Sequence, residues 1–217
     1  MSRPLSRRAR QAQETRRDIL DAALRLFAAR GYTGTAIADI AAEAGVAVPT
    51  VYASVGAKPL LLGRLLEAID LQAGVPELAR ALGAATDPRE VLALGVRITR
   101  QVAERGSTII KVLASAAGSE PEMGQAYADG LAKHHAGAAS TIRRLVTLGA
   151  LAPGLAEPDA VAVFATLTDT PVYDGLTTHG WSYDKCETWL LDTLATQLLR
   201  APEPGLAARS PRTSGQP

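Results

Sequence analysis

A chain of 217 residues with 47% hydrophobic content can bury the cores of one small and one medium domain. Its single cysteine, Cys186, excludes a disulfide framework within one chain. No run approaches the roughly 18 apolar residues of a membrane span and no signal-peptide core is present, so a cytoplasmic protein with no membrane partner is expected. The net charge of +1 hides an asymmetry: residues 1–60 carry nine Lys/Arg against five Asp/Glu, and residues 61–217 carry fourteen against seventeen. A chain that is +4 at one end and −3 over the rest has the footprint of a protein that meets phosphates with one part only. Strand formers are scarce and nothing alternates with period two for long, so the fold class is all-α.

In chain order, Arg3, Arg7, Arg8 and Arg10 precede any helical pattern, and residues 1–12 are read as a flexible basic arm. Such an arm could lie along a DNA backbone or minor groove, or be a solvated tail. The first helix is predicted from Gln13 to Arg30, with Ile19, Leu20, Ala23, Leu24 and Phe27 on one face and Gly31 at its end. Ile37, Ile40 and Ala44 then mark a short helix, Gly45 a tight turn, and Val46 and Val51 the inward side of a second short helix. The outward positions of that helix, Ala47, Val48, Pro49, Thr50 and Ala53, are small or short-branched, so it can enter a major groove deeply.

A fourth helix is expected from Ala57 to about Gln72, with a break near Gly74-Val75-Pro76. Asp87-Pro88-Arg89-Glu90 is a start signal, opening a helix to about Arg105-Gly106 that is followed by a separate apolar one from Ser107 to Ala117. Another runs from Ser119-Glu120-Pro121 to about Leu148. Glu157-Pro158-Asp159 opens the next, which Thr170-Pro171 interrupts, and the last spans Tyr183 to Leu199. Residues 201–217, rich in Pro, Gly, Ser and Arg, read as a disordered tail.

Helix–turn–helix corners also occur in bundles that never meet DNA, and here the flanks decide. The stretch RRDILDAALRLFAARGYTGTAIADIA, followed by Thr50-Val51-Tyr52 and Lys58, resembles the N-terminal domain of the tetracycline-repressor (TetR) family over about residues 14–66. Two positions depart from the family pattern: Val55 stands where an aromatic is usual, and Pro59 where an acidic residue often follows the Lys. Pro59 is tolerable because the first turn of a helix has no use for its missing N–H.

The resemblance implies a helix-turn-helix domain over residues 13–56 and a helical ligand-binding and dimerisation domain over 57–200. The DNA contacts it points to are Arg16, Thr35, Tyr52 and Lys58 on phosphate, and Val48, Pro49, Thr50 and Ala53 on base edges. None of the base-facing four carries a bidentate amide or guanidinium, so thymine methyl contacts, water bridges and DNA shape would supply the specificity. The implied function is a regulator of transcription, a repressor that binds a palindromic operator on double-stranded DNA as a homodimer and is released by a small-molecule effector. An activator or partner-dependent regulator, or a ligand-binding protein without a specific DNA site, stays open.

The polar groups expected to face the effector are Arg97, Lys111, Tyr127, His134, Thr168, Asp169 and Tyr173, in a mostly apolar lining suited to a lipophilic or aromatic molecule. The resemblance also implies a four-helix dimer interface formed by the last two segments, through Val161, Phe164, Trp189, Leu190 and Leu194. Adjacent His134 and His135 point to different faces and cannot ligate one metal as an i, i+4 pair would, so no metal is expected. Neither Ser115 nor Ser119 has a base and acid at sensible spacing, and no cofactor motif is present, so catalysis is not expected.

Overall fold

A computed structural model describes residues 6–118 and 120–200 of the chain. Ten helices follow one another: α1 (Arg7–Arg30), α2 (Ile37–Glu43), α3 (Val48–Val55), α4 (Lys58–Gln72), α5 (Val75–Ala84), α6 (Pro88–Ala116), α7 (Pro121–Thr147), α8 (Glu157–Leu167), α9 (Thr170–Thr178) and α10 (Tyr183–Leu198). The described residues form no strand, only one isolated bridge between Leu151 and Leu199. None of their helices is long and apolar enough to cross a membrane.

The first three helices are held by a small core of Ile19, Ala23, Phe27, Ile40, Ala41, Val51 and Val55, all at most 3% exposed. Ala41 lets α2 and α3 approach at their corner, and Gly45 takes φ 67°, which an L side chain adopts only under strain. That core does not stop at the head. It continues through Leu61, Leu62, Leu65 and Ile69 of α4 into Ile109 and Leu113 of α6 and Met123 of α7. A second core lies between α6, α7, α8, α9 and α10, around Leu92, Val96, Ile142, Phe164, Tyr173 and Leu190.

Three expectations change at this level. The first helix starts at Arg7, because Ser6 caps it by accepting the Ala9 N–H at 3.2 Å. Arg7, Arg8 and Arg10 are therefore helical instead of forming a flexible arm, while Arg3 and the tail from Ala201 lie outside the described residues. A helix missing from the sequence reading, α5, opens at the Gly74-Val75-Pro76 break, with Gly74 in the left-handed region and Pro76 in the first turn. The helices expected on either side of Gly106 are one 29-residue helix. Gly106 is buried mid-helix against α4, where an added Cβ would stand 3.3 Å from Ile69 Cγ2, so it marks a close approach and not an end.

Cys186 is fully buried on α10, and burial pushes its thiol pKa up. The native protein should therefore leave a disulfide reagent such as dithionitrobenzoate unreacted for as long as it stays folded, and release one equivalent per chain in denaturant. Fast labelling of the native chain would contradict the packing described for α10.

Candidate functional site

The site has two parts. The first is the outer face of α3. Val48 and Tyr52 are 38% and 52% exposed, and Pro49 and Ala53 also face solvent, beside half-buried Thr50. Val51 and Val55 on the opposite side anchor α3 to α1 and α2. A two-turn helix with one side buried and a low-relief surface on the other can seat in a groove without steric conflict. Arg16 is half-buried on α1.

Two of the expected phosphate contacts have other duties. Thr35 does not open α2; it lies before the helix, only 1% exposed, and its hydroxyl donates to the Gly31 carbonyl at 2.9 Å and the Leu26 carbonyl at 3.4 Å. Its N–H goes to the Tyr32 carbonyl, so Thr35 is withdrawn from the phosphate contacts. It ties the C-terminal end of α1 to the link that precedes α2. Thr35→Val should cost about 1–2 kcal/mol, read as a lowered Tm, because the methyl keeps the shape while the hydrogen bonds vanish. An unchanged Tm would show that those carbonyls need no donor.

Lys58 is half-buried, with Nζ 4.0 Å from the Tyr32 ring centroid. Burial lowers its pKa, opposed by the nearby Glu120 and Glu122 carboxylates. Tyr32 in turn stacks at a tilt on Phe27, with centroids 5.3 Å apart. Burial, then Glu122 and Glu120, push its hydroxyl up to about 12. The start of α4 is thus fastened to the end of α1 beside the α6–α7 turn.

The second part is a cavity of about 370 Å³ between α4, α5, α6, α7 and the α8–α9 corner. Its lining is mainly apolar, including Leu66, Ile69, Val102, Ile110, Leu113 and Phe164. Of the seven polar residues expected there, Tyr127, His134, Thr168 and Asp169 line it. His134 Nε2 is 2.9 Å from the Ala165 carbonyl, which requires the ring proton to sit on Nε2. Thr168 donates to the Phe164 carbonyl at 2.8 Å, and Asp169 caps α9 by accepting from the Thr170 N–H at 2.7 Å.

The other three lie elsewhere. Arg97 and Lys111 are drawn to carboxylates outside the cavity, Glu187 at 3.0 Å and Asp174 at 3.0 Å. Arg97 fails on phase: Gly95, Ile98, Thr99 and Val102 form the cavity stripe of α6, and position 97 falls on the flank that meets α10. Tyr173 is fully buried one layer behind the wall, its hydroxyl 2.9 Å from Thr99 Oγ1, and burial raises its pKa. Asp70, Thr99, Lys133 and Thr141 line the cavity without having been expected. The signal for Thr141 was present, since Tyr127, Gly130, His134, Gly137 and Thr141 repeat every three or four residues along α7.

The expected dimer residues also divide. Phe164, Leu190 and Leu194 are at most 1% exposed within a single chain, so they serve its own second core. Trp189 at 39% exposure and half-buried Val161 are the two of the five that present surface. Trp189 meets Trp181 edge-on at 6.0 Å, with Lys185 Nζ 4.0 Å over the Trp181 ring.

A helix-turn-helix head with an exposed third helix is joined through one core to a larger helical body that holds a cavity of ligand size. Residues 19–58 match the family of bacterial regulatory proteins described as the tetR family. The chain is 37% identical over 89 residues to the HTH-type transcriptional regulator AcrR of Shigella flexneri, a match that spans only 41% of each chain.

Solved structures of the same fold include SmeT in complex with triclosan, at TM-score 0.71 and 20% identity over 94% of this chain and 99% of that one. A transcriptional regulator from Saccharomonospora viridis in complex with choline gives 0.67 and 24%, covering 87% and 100%. NalD, the secondary repressor of the MexAB-OprM multidrug efflux pump in Pseudomonas aeruginosa, gives 0.66 and 23%, covering 88% and 98%.

Proposed function

We propose that this protein is a homodimeric transcriptional repressor that reads a palindromic operator with α3 and leaves it when a small molecule fills the cavity. The observation that carries this reading is the shared wall. Ile69 and Leu113 belong to the core that holds the head, and both line the cavity, with Ile110 and Tyr127 packed beside them. A ligand that displaces these side chains must displace α4 or α6, and the head is packed on both. Small shifts of a close-packed wall are transmitted instead of absorbed. The ligand acts only as far as it prefers the non-DNA state, and a coupling of about 1–3 kcal/mol would change DNA affinity roughly 5- to 150-fold.

Two subunits are required by the reading helix itself. Eight residues with no bidentate base reader supply little affinity alone, whereas paired heads one helical turn apart read a two-fold site. Val161 and Trp189 on the outer faces of α8 and α10 are the proposed contacts with a second copy. The bound SmeT and Saccharomonospora structures support a ligand in the second part, and the NalD structure supports the repressor role.

Titration of a bound DNA fragment tests the reading and should give two chains per site. Lys58→Ala should lower the slope of log affinity against log salt by about one, while Tyr52→Phe should weaken all sequences about equally. If Lys58→Ala lowers the Tm and leaves the slope alone, the ammonium serves the Tyr32 stack and not a phosphate. One chain per site would exclude the dimer.

A further inference from the structure

Resting on the reading of the cavity as the effector site, we propose that it takes an amphiphilic organic cation: a protonated amine or quaternary ammonium on an apolar body. Most of the polar lining has its protons already committed. Thr141 and Thr168 spend their hydroxyl protons on the Gly137 and Phe164 carbonyls, at 3.0 and 2.8 Å, and present only oxygen lone pairs to the interior. Thr99 Oγ1 is bonded to both the Val96 carbonyl and the Tyr173 hydroxyl at 2.9 Å and has no proton left for the interior. The ring proton of His134 goes to the Ala165 carbonyl. The Tyr127, Ser140 and Thr170 hydroxyls of the lining can donate or accept, and the Lys133 ammonium is engaged by Asp70. The cavity therefore offers acceptors in excess of donors.

Charge runs the same way. Asp70 and Lys133 lie 3.4 Å apart and neutralise each other, and both are well exposed at the rim. Asp169 is half-buried, caps α9 through a single backbone bond, and has no cation within ion-pair distance among the described residues. With histidine taken as neutral, the lining residues Asp70, Asp169 and Lys133 sum to −1. An uncompensated carboxylate beside an apolar wall is costly until a cation meets it. The aromatic faces of Tyr127 and Phe164 in the same lining would add cation–π attraction. A carboxylate or phosphate ligand would instead face Asp169 and a set of lone pairs.

The test is calorimetric titration of the full chain with phenylbutylamine, phenylbutanol and phenylbutyrate, which share a body and differ in head charge. The amine should bind at least about tenfold more tightly than the alcohol, and the acid should bind worst. Asp169→Asn keeps a side chain that caps helices well, so the fold and the Tm should persist while the amine's advantage over the alcohol disappears. Equal affinity for amine and alcohol, or a preference for the acid, would overturn the charge assignment while leaving the cavity as a binding site. Amine preference that survives Asp169→Asn would move the recognition to another group and overturn the role of Asp169. Binding of none of the three would overturn both this inference and the effector reading on which it rests.

Discussion

Ala53→Glu should abolish specific DNA binding, with a loss of about 100-fold or more, and leave the fold intact. Ala53 is exposed on the outer face of α3 and touches nothing that holds the head together. Glutamate is a good helix former, so α3 loses little propensity. What changes is the potential at the point of deepest approach to a polyanion. A like charge pressed into an interface costs several kcal/mol, and about 2.7 kcal/mol already corresponds to 100-fold. Far-UV circular dichroism and the Tm should match the parent protein while anisotropy titration on a bound fragment reports the loss. Retained affinity would mean that the outer face of α3 does not meet DNA.

Phe27→Ala should cost about 3–5 kcal/mol, the range for removing a large aromatic from a core. Phe27 is 1% exposed and packs on Tyr32, which carries the Lys58 stack. Measured against the roughly 5–15 kcal/mol of a typical domain, that loss is about a fifth of the total or more. Because the head's core runs on into Leu61, Ile109 and Leu113, head and body should unfold together in one denaturant transition, at a lower midpoint. A second, earlier transition confined to the head would contradict the continuous core, and a cost below about 1 kcal/mol would place Phe27 outside it.

The head was the most legible part of the sequence. Its signals are local: a Gly turn, a small residue at the corner, apolar positions three and four apart. The body was legible in its helix starts, because Asp87 and Ser182 are capping residues and Pro88 and Pro158 stand in the first turns they open. It was illegible where a local signal has a tertiary meaning. Gly106 reads as a terminator until Ile69 of α4 is seen against it. Gly74-Val75-Pro76 reads as a break because it is one, yet the same three residues start α5.

Side-chain destinations were lost for the same reason. Thr35 looks like a free hydroxyl near a helix start, and only the fold brings the Leu26 and Gly31 carbonyls to it. Tyr173 and Thr99 are far apart in sequence, and nothing local says that one stands behind the other. Phe164, Leu190 and Leu194 look from the sequence like an interface, and the second core of the same chain absorbs them.

The most direct test of the central claim is selection of bound fragments from sheared genomic DNA of the source organism by the full chain at near-physiological salt. Recovery of one palindromic motif, its half-sites a helical turn or a multiple of it apart, is the predicted result. The genes beside it would then name the regulated function. Fragments recovered no better than random sequence would contradict the claim that α3 reads DNA.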